Sequence, residues 1–348
     1  MSFSNDLVQW YQSNKRPLPW RDTHDAYVIW LSEIILQQTR VEQGLPYFYR
    51  FFETYPDVGC FAAAKEDDIL KLWQGLGYYS RGRNMLKTAR MVMEHHGGIF
   101  PHTYDQLIKL KGIGEYTASA IASFAANEAK AVVDGNVYRV LARYFGVDEP
   151  INTHKGVKTF QAIANGLLNL HNPGLHNQAM MEFGAMLCKP KNPACGICPI
   201  NTGCYAFLNN AINTLPVKLN RVKVRDRYFN YFLITNDHTL VMNRRSDKDI
   251  WANMYDLPLI ETTALLPPED LLLLPQLAAL FGDNIKFDGL FPVVKHVLTH
   301  QRLFVRFIKL HQQHIQLKEE WFITDVNNLN KLALPKVIFI FLKNIFNL

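Results

Sequence analysis

Apolar side chains recur three and four residues apart along the first part of the chain, at Leu7, Trp10 and Tyr11 and again at Trp30, Ile34 and Ile35. This is the spacing of one helix face, and it predicts a mainly helical region over residues 1 to about 210. Thr103 followed by Gln106 reads as a capping box, with Pro101 just outside, and predicts a helix running through Leu110. Beyond residue 225 the pattern changes. The stretches YFNYFLITND and HTLVMNRR are short and rich in aromatic and β-branched residues, so they predict strands joined near Asn236 and Asp237. PPEDLLLLPQLAALFGD then reads as helix, KHVLTHQRLFVRFIKL as strand, and the C-terminus as helix. A mainly α domain over 1–210, a linker over 211–225 and an α+β domain over 226–348 follow. No internal repeat or low-complexity tract is visible.

The chain has 348 residues, enough for two ordinary domains, and with nearly half its residues apolar it reads as globular. No apolar run approaches the ~18 residues of a membrane span, and the polar start MSFSNDLVQW lacks a signal peptide's regions, which predicts a cytosolic protein. The net charge of +6 divides as +2 over 1–215 and +4 over 216–348. Around the start of the latter, LPVKLNRVKVRDR forms a basic strap that suits a polyanion, although a solvated linker is the commoner explanation of such a run.

CKPKNPACGICPINTGC places Cys188, Cys195, Cys198 and Cys204 with six, two and five residues between them. In a reducing compartment this is a metal site rather than a disulfide framework. Four thiolates suit zinc or an iron-sulfur cluster; the single C-x-x-C knuckle within one loop favours a 4Fe-4S cluster of structural role. Cys60 stands apart and is expected to be buried among apolar neighbours.

In LKGIGEYTASAI, Gly112 and Gly114 interrupt one helix and restart another, leaving first-turn amides free to hold an anion such as a DNA phosphate. Taken alone, a plain αα-hairpin packed through Ala118, Ile121 and Ala122 accounts for it equally well. About twenty residues on, in AVVDGNVYRVLAR, Asp134 sits where a carboxylate can be held rigidly at a helix start. Glu33 lies on a helical face with Ile29, Trp30, Leu36 and Gln37, which should raise its pKa and keep a proton available. The bland alternative pairs Glu33 with Arg21 or Arg40.

LKGIGEYTA, VDGNVYRV and the cysteine loop together resemble the base-excision DNA glycosylases that share the endonuclease III fold. With WLSEIILQQTR and GLGYYSRGRN added, the resemblance narrows to the adenine DNA glycosylases, the MutY family, over residues 5 to 210. VMNRRSDKDIWANMYDLP resembles that family's Nudix-like C-terminal domain, without the acidic Nudix helix, so no pyrophosphatase activity is expected. The resemblance implies a monofunctional glycosylase that flips out adenine opposite 8-oxoguanine or guanine in double-stranded DNA. In those terms Glu33 protonates the adenine, Asp134 stabilises the cationic sugar and Asn136 orients water or the aspartate. Tyr116 stands where strand-cutting relatives carry a lysine, and is expected to hydrogen-bond near the adenine and Asp134. Arg21, Leu36 and Gln178 would line the adenine pocket. Gln38 and Tyr78 would wedge into the base stack, and Arg81, Arg83, Gly112 and Gly114 would grip the backbone. Thr299 and His300, beside Leu298 in place of the usual aromatic, would probe 8-oxoguanine. The implied setting is the nucleoid, acting as a monomer, with a sliding clamp or mismatch-repair protein as candidate partners.

Overall fold

In the computed structural model, which describes residues 3–219, 224–236, 238–282, 285–311 and 317–347, the helical expectation for the first part of the chain is met. The helices are α1 Phe3–Asn14, α2 Ala26–Leu36, α3 Val41–Thr54, α4 Val58–Ala62, α5 Glu66–Leu72, α6 Ser80–His96, α7 Tyr104–Leu107, α8 Glu115–Ala126, α9 Gly135–Phe145, α10 His154–Leu167, α11 Pro173–Met186 and α12 Tyr205–Leu208. Every residue of α2 from Ala26 to Ile35 is buried, as befits a helix apolar on nearly all faces. Asp25 caps it by accepting from the amides of Tyr27 and Val28, and Trp30 packs on Phe61 and Phe100 with centroids 5.5 and 5.0 Å away. A second core lies under α9, where Val137, Leu141, Phe160 and Phe183 bury against one another. Each such side chain contributes roughly 1.5–3 kcal/mol by leaving water.

The first helix of the hairpin is shorter than its sequence predicts. α7 is a single turn and stops at Leu107. The capping box does not form: Thr103 Oγ1 donates to the Gln106 side chain at 2.8 Å, and the amide of Tyr104 is taken by the Glu128 carboxylate at 2.8 Å. The Glu128 carboxylate, two residues past α8, thus meets the positive end of the helix at its first amide, and the Gln106 amide bonds the Thr103 carbonyl rather than its hydroxyl.

The chain divides into two compact units, Met1–Ala64 with Asn84–Asn220, and Lys65–Arg83 with Arg221–Leu348. By sequence alone 65–83 falls in the first domain; in the fold its side chains bond to residues of the second unit. Residues 220–223 of the basic strap and Asp237 lie outside the described residues.

In the second unit, β1 Arg225–Leu233 pairs in parallel with β7 Gln301–His311, Tyr228 opposite Phe304, and antiparallel with β4 Leu259–Thr262. β5 Lys286–Leu290 and β6 Val294–Val297 both pair with β7. A separate sheet joins β3 Tyr255–Asp256, β2 Thr239–Arg244 and β8 Trp321–Asp325. β1 and β2 therefore follow one another in sequence yet belong to different sheets, linked by a single bridge at Thr235 and Leu240. The helical stretch after Pro267 is two short helices, α13 Pro268–Leu272 and α14 Pro275–Phe281, because Pro275 cannot continue the first. α15 Lys336–Phe346 stacks Phe341 on Phe307.

Candidate active site and cluster loop

Glu33 sits two turns into α2 and is 9% exposed. Burial pushes its carboxyl up to about 7; the hydrogen bond from Tyr116 pulls the other way and the charge of Asp134 adds to the rise. The donor is the Tyr116 hydroxyl at 3.0 Å, from the first turn of α8. Tyr116, expected to hydrogen-bond near the adenine and Asp134, donates to Glu33 and feels the charge of Asp134. Neither Arg21 nor Arg40 pairs with Glu33.

Asp134 caps α9, accepting from the amides of Asn136 and Val137, both at 2.8 Å. Its second oxygen accepts from the Asn136 carboxamide at 2.7 Å. Burial raises the Asp134 pKa, and these donors with the Arg139 guanidinium hold back part of that rise. The three donors on Asp134 favour its charged form, whereas burial favours the neutral form of Glu33, so the two environments push the carboxyls apart.

Both carboxyls line an open cleft of about 1200 Å³, with Leu36, Gln38, Tyr116, Asn136 and Gln178 also on its walls. Gln178 is oriented by the Tyr11 hydroxyl at 2.6 Å. Arg21 is on the wall too, but its guanidinium is clasped by Glu182, which Arg16 grips bidentately at 2.7 and 2.8 Å. Burial alone would raise Glu182; the Arg16 and Arg21 hydrogen bonds outweigh it and hold the carboxyl down at about 2. Sequence reading passed over Glu182 and Arg16, although Glu182, like Glu33, is a lone carboxylate on an apolar helix, and that signal could have found it.

Asn136 is itself held. Arg139, 8% exposed, donates to Asn136 Oδ1 at 2.8 Å, to the Gly184 carbonyl at 2.6 Å and to the Cys188 carbonyl at 2.7 Å. Gly184 permits this approach, since a Cβ there would lie 2.7 Å from Asn136 Cβ and 2.8 Å from its carbonyl.

The four cysteines 188, 195, 198 and 204 line a small cavity with Val140, Phe183, Leu187 and Ile200. Among the described residues no three His, Cys, Asp or Glu side chains converge as the ligands of one ion would. Thiols spaced around a cavity suit a polynuclear cluster. Arg143, 4% exposed, donates to Cys188 Sγ at 3.5 Å and otherwise to the neutral carbonyls of Lys189, Pro190 and Leu215. A buried guanidinium with no carboxylate partner among the described residues fits a site whose thiolates carry negative charge. Burial pushes the Cys198 thiol up to about 11, so ionising it requires a metal to replace the proton. Cys198→Ser should therefore abolish the broad visible absorption of the purified protein and lower its melting temperature, because the same cysteines pack against the α9 core; retention of the absorption would remove Cys198 from the ligand set.

Cys60 corrects an expectation. It is exposed, its amide and thiol both directed at Asp57, at 2.7 and 3.4 Å, because it lies on the outer face of the short α4.

The expected DNA-facing residues divide. Gln38, just past α2, has φ +55 and Tyr78 has φ +47, a left-handed backbone that side chains this large adopt only when their surroundings impose it. Tyr78 is 43% exposed and its hydroxyl bonds to Thr299. Thr299 and His300 are exposed in the turn between β6 and β7, closed by the Leu298 amide on the Gln301 carbonyl at 2.8 Å. Gly112 has φ +80 and abuts Asn84, and Gly114 precedes α8 with open space around it and no side-chain cap. Arg81 and Arg83 direct donors at backbone carbonyls, Arg81 at Leu76 and Gly77 and Arg83 at Ala252. Burial lowers both pKa values, Arg81 to about 10.

A glycine-turned helical hairpin, a buried carboxyl pair and a four-cysteine loop define a class of repair protein. The family model of the HhH-GPD superfamily of base excision DNA repair proteins matches residues 31–163, that of the iron-sulfur binding domain of endonuclease III matches 188–204, and that of the NUDIX domain matches 230–344. Among solved structures, a thermostable thymine-DNA glycosylase is 28% identical with a TM-score of 0.55, over 60% of this chain and 95% of that one. Among curated proteins, the adenine DNA glycosylase of Buchnera aphidicola subsp. Baizongia pistaciae (strain Bp) is 32% identical over 96% of this chain and 93% of its own. That of Buchnera aphidicola subsp. Acyrthosiphon pisum (strain APS) is 34% identical over 74% and 73%. The chain belongs to the adenine DNA glycosylase family. It joins a helical, endonuclease III-like glycosylase fold to a Nudix-like α+β region, and its cysteine loop is that of a 4Fe-4S cluster. Among the described residues no helix is long and apolar enough to cross a membrane.

Proposed function

We propose that this protein removes adenine mispaired with 8-oxoguanine or guanine, hydrolysing the N-glycosidic bond and leaving the DNA backbone intact. The observation that carries the reading is the carboxyl pair: one acid whose pKa burial lifts to about 7, the other fixed at a helix N-terminus by donors that favour its charged form.

The 1200 Å³ cleft has room for an extruded nucleotide with part of its backbone. Glu33 gives its proton to adenine N7, and the C1′–N9 bond breaks with its electron pair leaving on the base. The Asp134 carboxylate faces the cationic sugar, as in glycoside hydrolysis, and water completes C1′ with loss of a proton. Asn136 fixes the carboxylate's orientation, and Arg21, Leu36, Gln178 and the Glu182 pair shape the wall against the base. The cluster, when bound, ties the 188–204 loop together; Arg139 links that loop's backbone to Asn136.

Residues 1–210 serve as the excising domain and 226–348 as the lesion-reading one, with Thr299 and His300 on the opposite base and Gln38 and Tyr78 in the stack. The protein works as a monomer on chromosomal DNA in the nucleoid, with a sliding clamp or mismatch-repair protein as partner. Position 116 holds a phenol where a Schiff base needs an amine. Duplexes carrying adenine opposite 8-oxoguanine should therefore lose base, with strand breaks appearing only after alkali. Efficient borohydride trapping of a protein–DNA adduct would overturn the monofunctional reading, and release of thymine glycol in place of adenine would overturn the substrate.

A further inference from the structure

The segment that carries Tyr78 turns through an unusual run of backbone. Gly75, Gly77 and Tyr78 all have positive φ, at 102°, 73° and 47°, so three of four consecutive residues leave the helical and extended regions. Internal bonds pin the loop locally, from Trp73 Nε1 to the Gly77 carbonyl at 2.9 Å and from the Arg81 guanidinium stacked on Trp73.

The loop over 251–255 holds it from outside. The Asn253 carboxamide donates to Glu66 at 2.6 Å, the Tyr255 hydroxyl to Asp67 at 2.8 Å, and the Ala252 carbonyl accepts from Arg83 at 2.9 Å. Lys71 adds a bond to the Leu332 carbonyl at 3.0 Å. The segment is thus gripped at both ends, and the Tyr78 hydroxyl at its tip rests on Thr299. The gripping loop is itself strained: Trp251 and Asn253 have φ of 58° and 62°, and beside them Arg245 anchors on Asp256 and Asp249. Strain persists where the surrounding structure over-determines it, and here it presents a carbonyl and a carboxamide to one partner segment.

We propose that Asn253, Tyr255 and the Ala252 carbonyl are positioning residues for Tyr78, so that the stacking wedge is aimed by the lesion-reading unit and its insertion depends on which base Thr299 meets. The inference rests on the 8-oxoguanine reading above and deepens it. An aromatic wedge held by the sensor enters the stack in register with a recognised base; released from these grips, it enters less often opposite 8-oxoguanine.

The variants are Asn253→Gly, which keeps the left-handed backbone and removes the carboxamide, Tyr255→Phe, and the pair Glu66→Ala and Glu66→Gln, of which only the second retains an acceptor. Single-turnover excision is measured on adenine opposite 8-oxoguanine and opposite guanine, with fluorescence of 2-aminopurine placed beside the opposite base reporting unstacking by the wedge. Asn253→Gly, Tyr255→Phe and Glu66→Ala should each lower the ratio of the two rates by about fivefold, the worth of one hydrogen bond, with 2-aminopurine dimmed. The rate opposite guanine should stay within about twofold and Glu66→Gln should behave as wild type. An unchanged ratio with unchanged fluorescence overturns the inference, and so does an equal fall of both rates with a lowered melting temperature. Absence of any 8-oxoguanine preference in the wild type would instead overturn the proposed lesion reading, and the fluorescence arm would still decide whether these residues aim Tyr78.

Discussion

Glu33→Gln is expected to stop adenine excision and, above neutral pH, to make the protein more stable. The carboxamide oxygen of the variant would still accept the Tyr116 hydrogen bond, so the cleft keeps its shape. What disappears is the proton, and general acid catalysis contributes about 10²–10⁴ in rate. The stability change follows from the same burial. The Glu33 pKa is raised from 4.5 in the unfolded chain to about 7 in the fold, so its stabilising contribution is fully present below pH 4.5 and is lost as pH rises through 7. Above that point the wild type carries a buried carboxylate at a cost of about 3 kcal/mol, by ~1.4 kcal/mol per unit. A carboxamide carries no such charge, so the variant's melting temperature should exceed wild type by on the order of 5 °C in alkaline buffer, with the gap closing at acid pH. By the same sign, wild-type excision should fall about tenfold per unit above pH 7 as the acid ionises. Equal melting temperatures in alkaline buffer would mean Glu33 is not held as a neutral acid, and lost mispair binding in the variant would make its role structural.

Local signals made part of this site readable. The apolar neighbours of Glu33 are fixed by helix periodicity, and α2 delivers them; the Asp-Gly-Asn sequence announces a helix start, and Asp134 caps α9. The four cysteines needed only their spacing. Illegible features depend on residues far apart in sequence or on backbone geometry. The Arg16–Glu182 pair spans 166 residues, and Arg139 meets Cys188 across 49. No propensity marks Gln38 or Tyr78 for a left-handed backbone, since only packing can impose it on such side chains. Thr103 and Gln106 have the right types for a capping box, yet their side chains bond each other, and Glu128, 24 residues from Tyr104, meets the first helical amide. The same limit hid the grouping of 65–83 with the second unit: Glu66 and Asp67 belong to no motif and Arg83 reads as a DNA-backbone contact until their partners are seen.

Asp134→Asn separates the two tasks of that carboxylate. As a helix cap, Asn is about as good as Asp, so the fold should survive. As the counter-charge to the sugar cation it is useless, and loss of one such electrostatic element costs about 10²–10³ in rate. A second injury compounds the first. Asn136 donates to the Asp134 oxygen that becomes an amide nitrogen, and Arg139 holds Asn136 Oδ1 so that it cannot rotate to accept instead. Two donors then face one another, which should cost about 1 kcal/mol of stability on top of the lost rate. The residual activity carries a further signature. The charge of Asp134 raises the Glu33 pKa, so its removal lets Glu33 ionise more easily and the alkaline limb of the variant's pH profile should move to lower pH. Burial is the larger cause of the rise and remains, so the displaced limb should still lie above the ordinary carboxylate range. A limb that stays in place would show that the two carboxyls do not titrate as a pair, and that Asp134 acts on the sugar without setting the proton on Glu33.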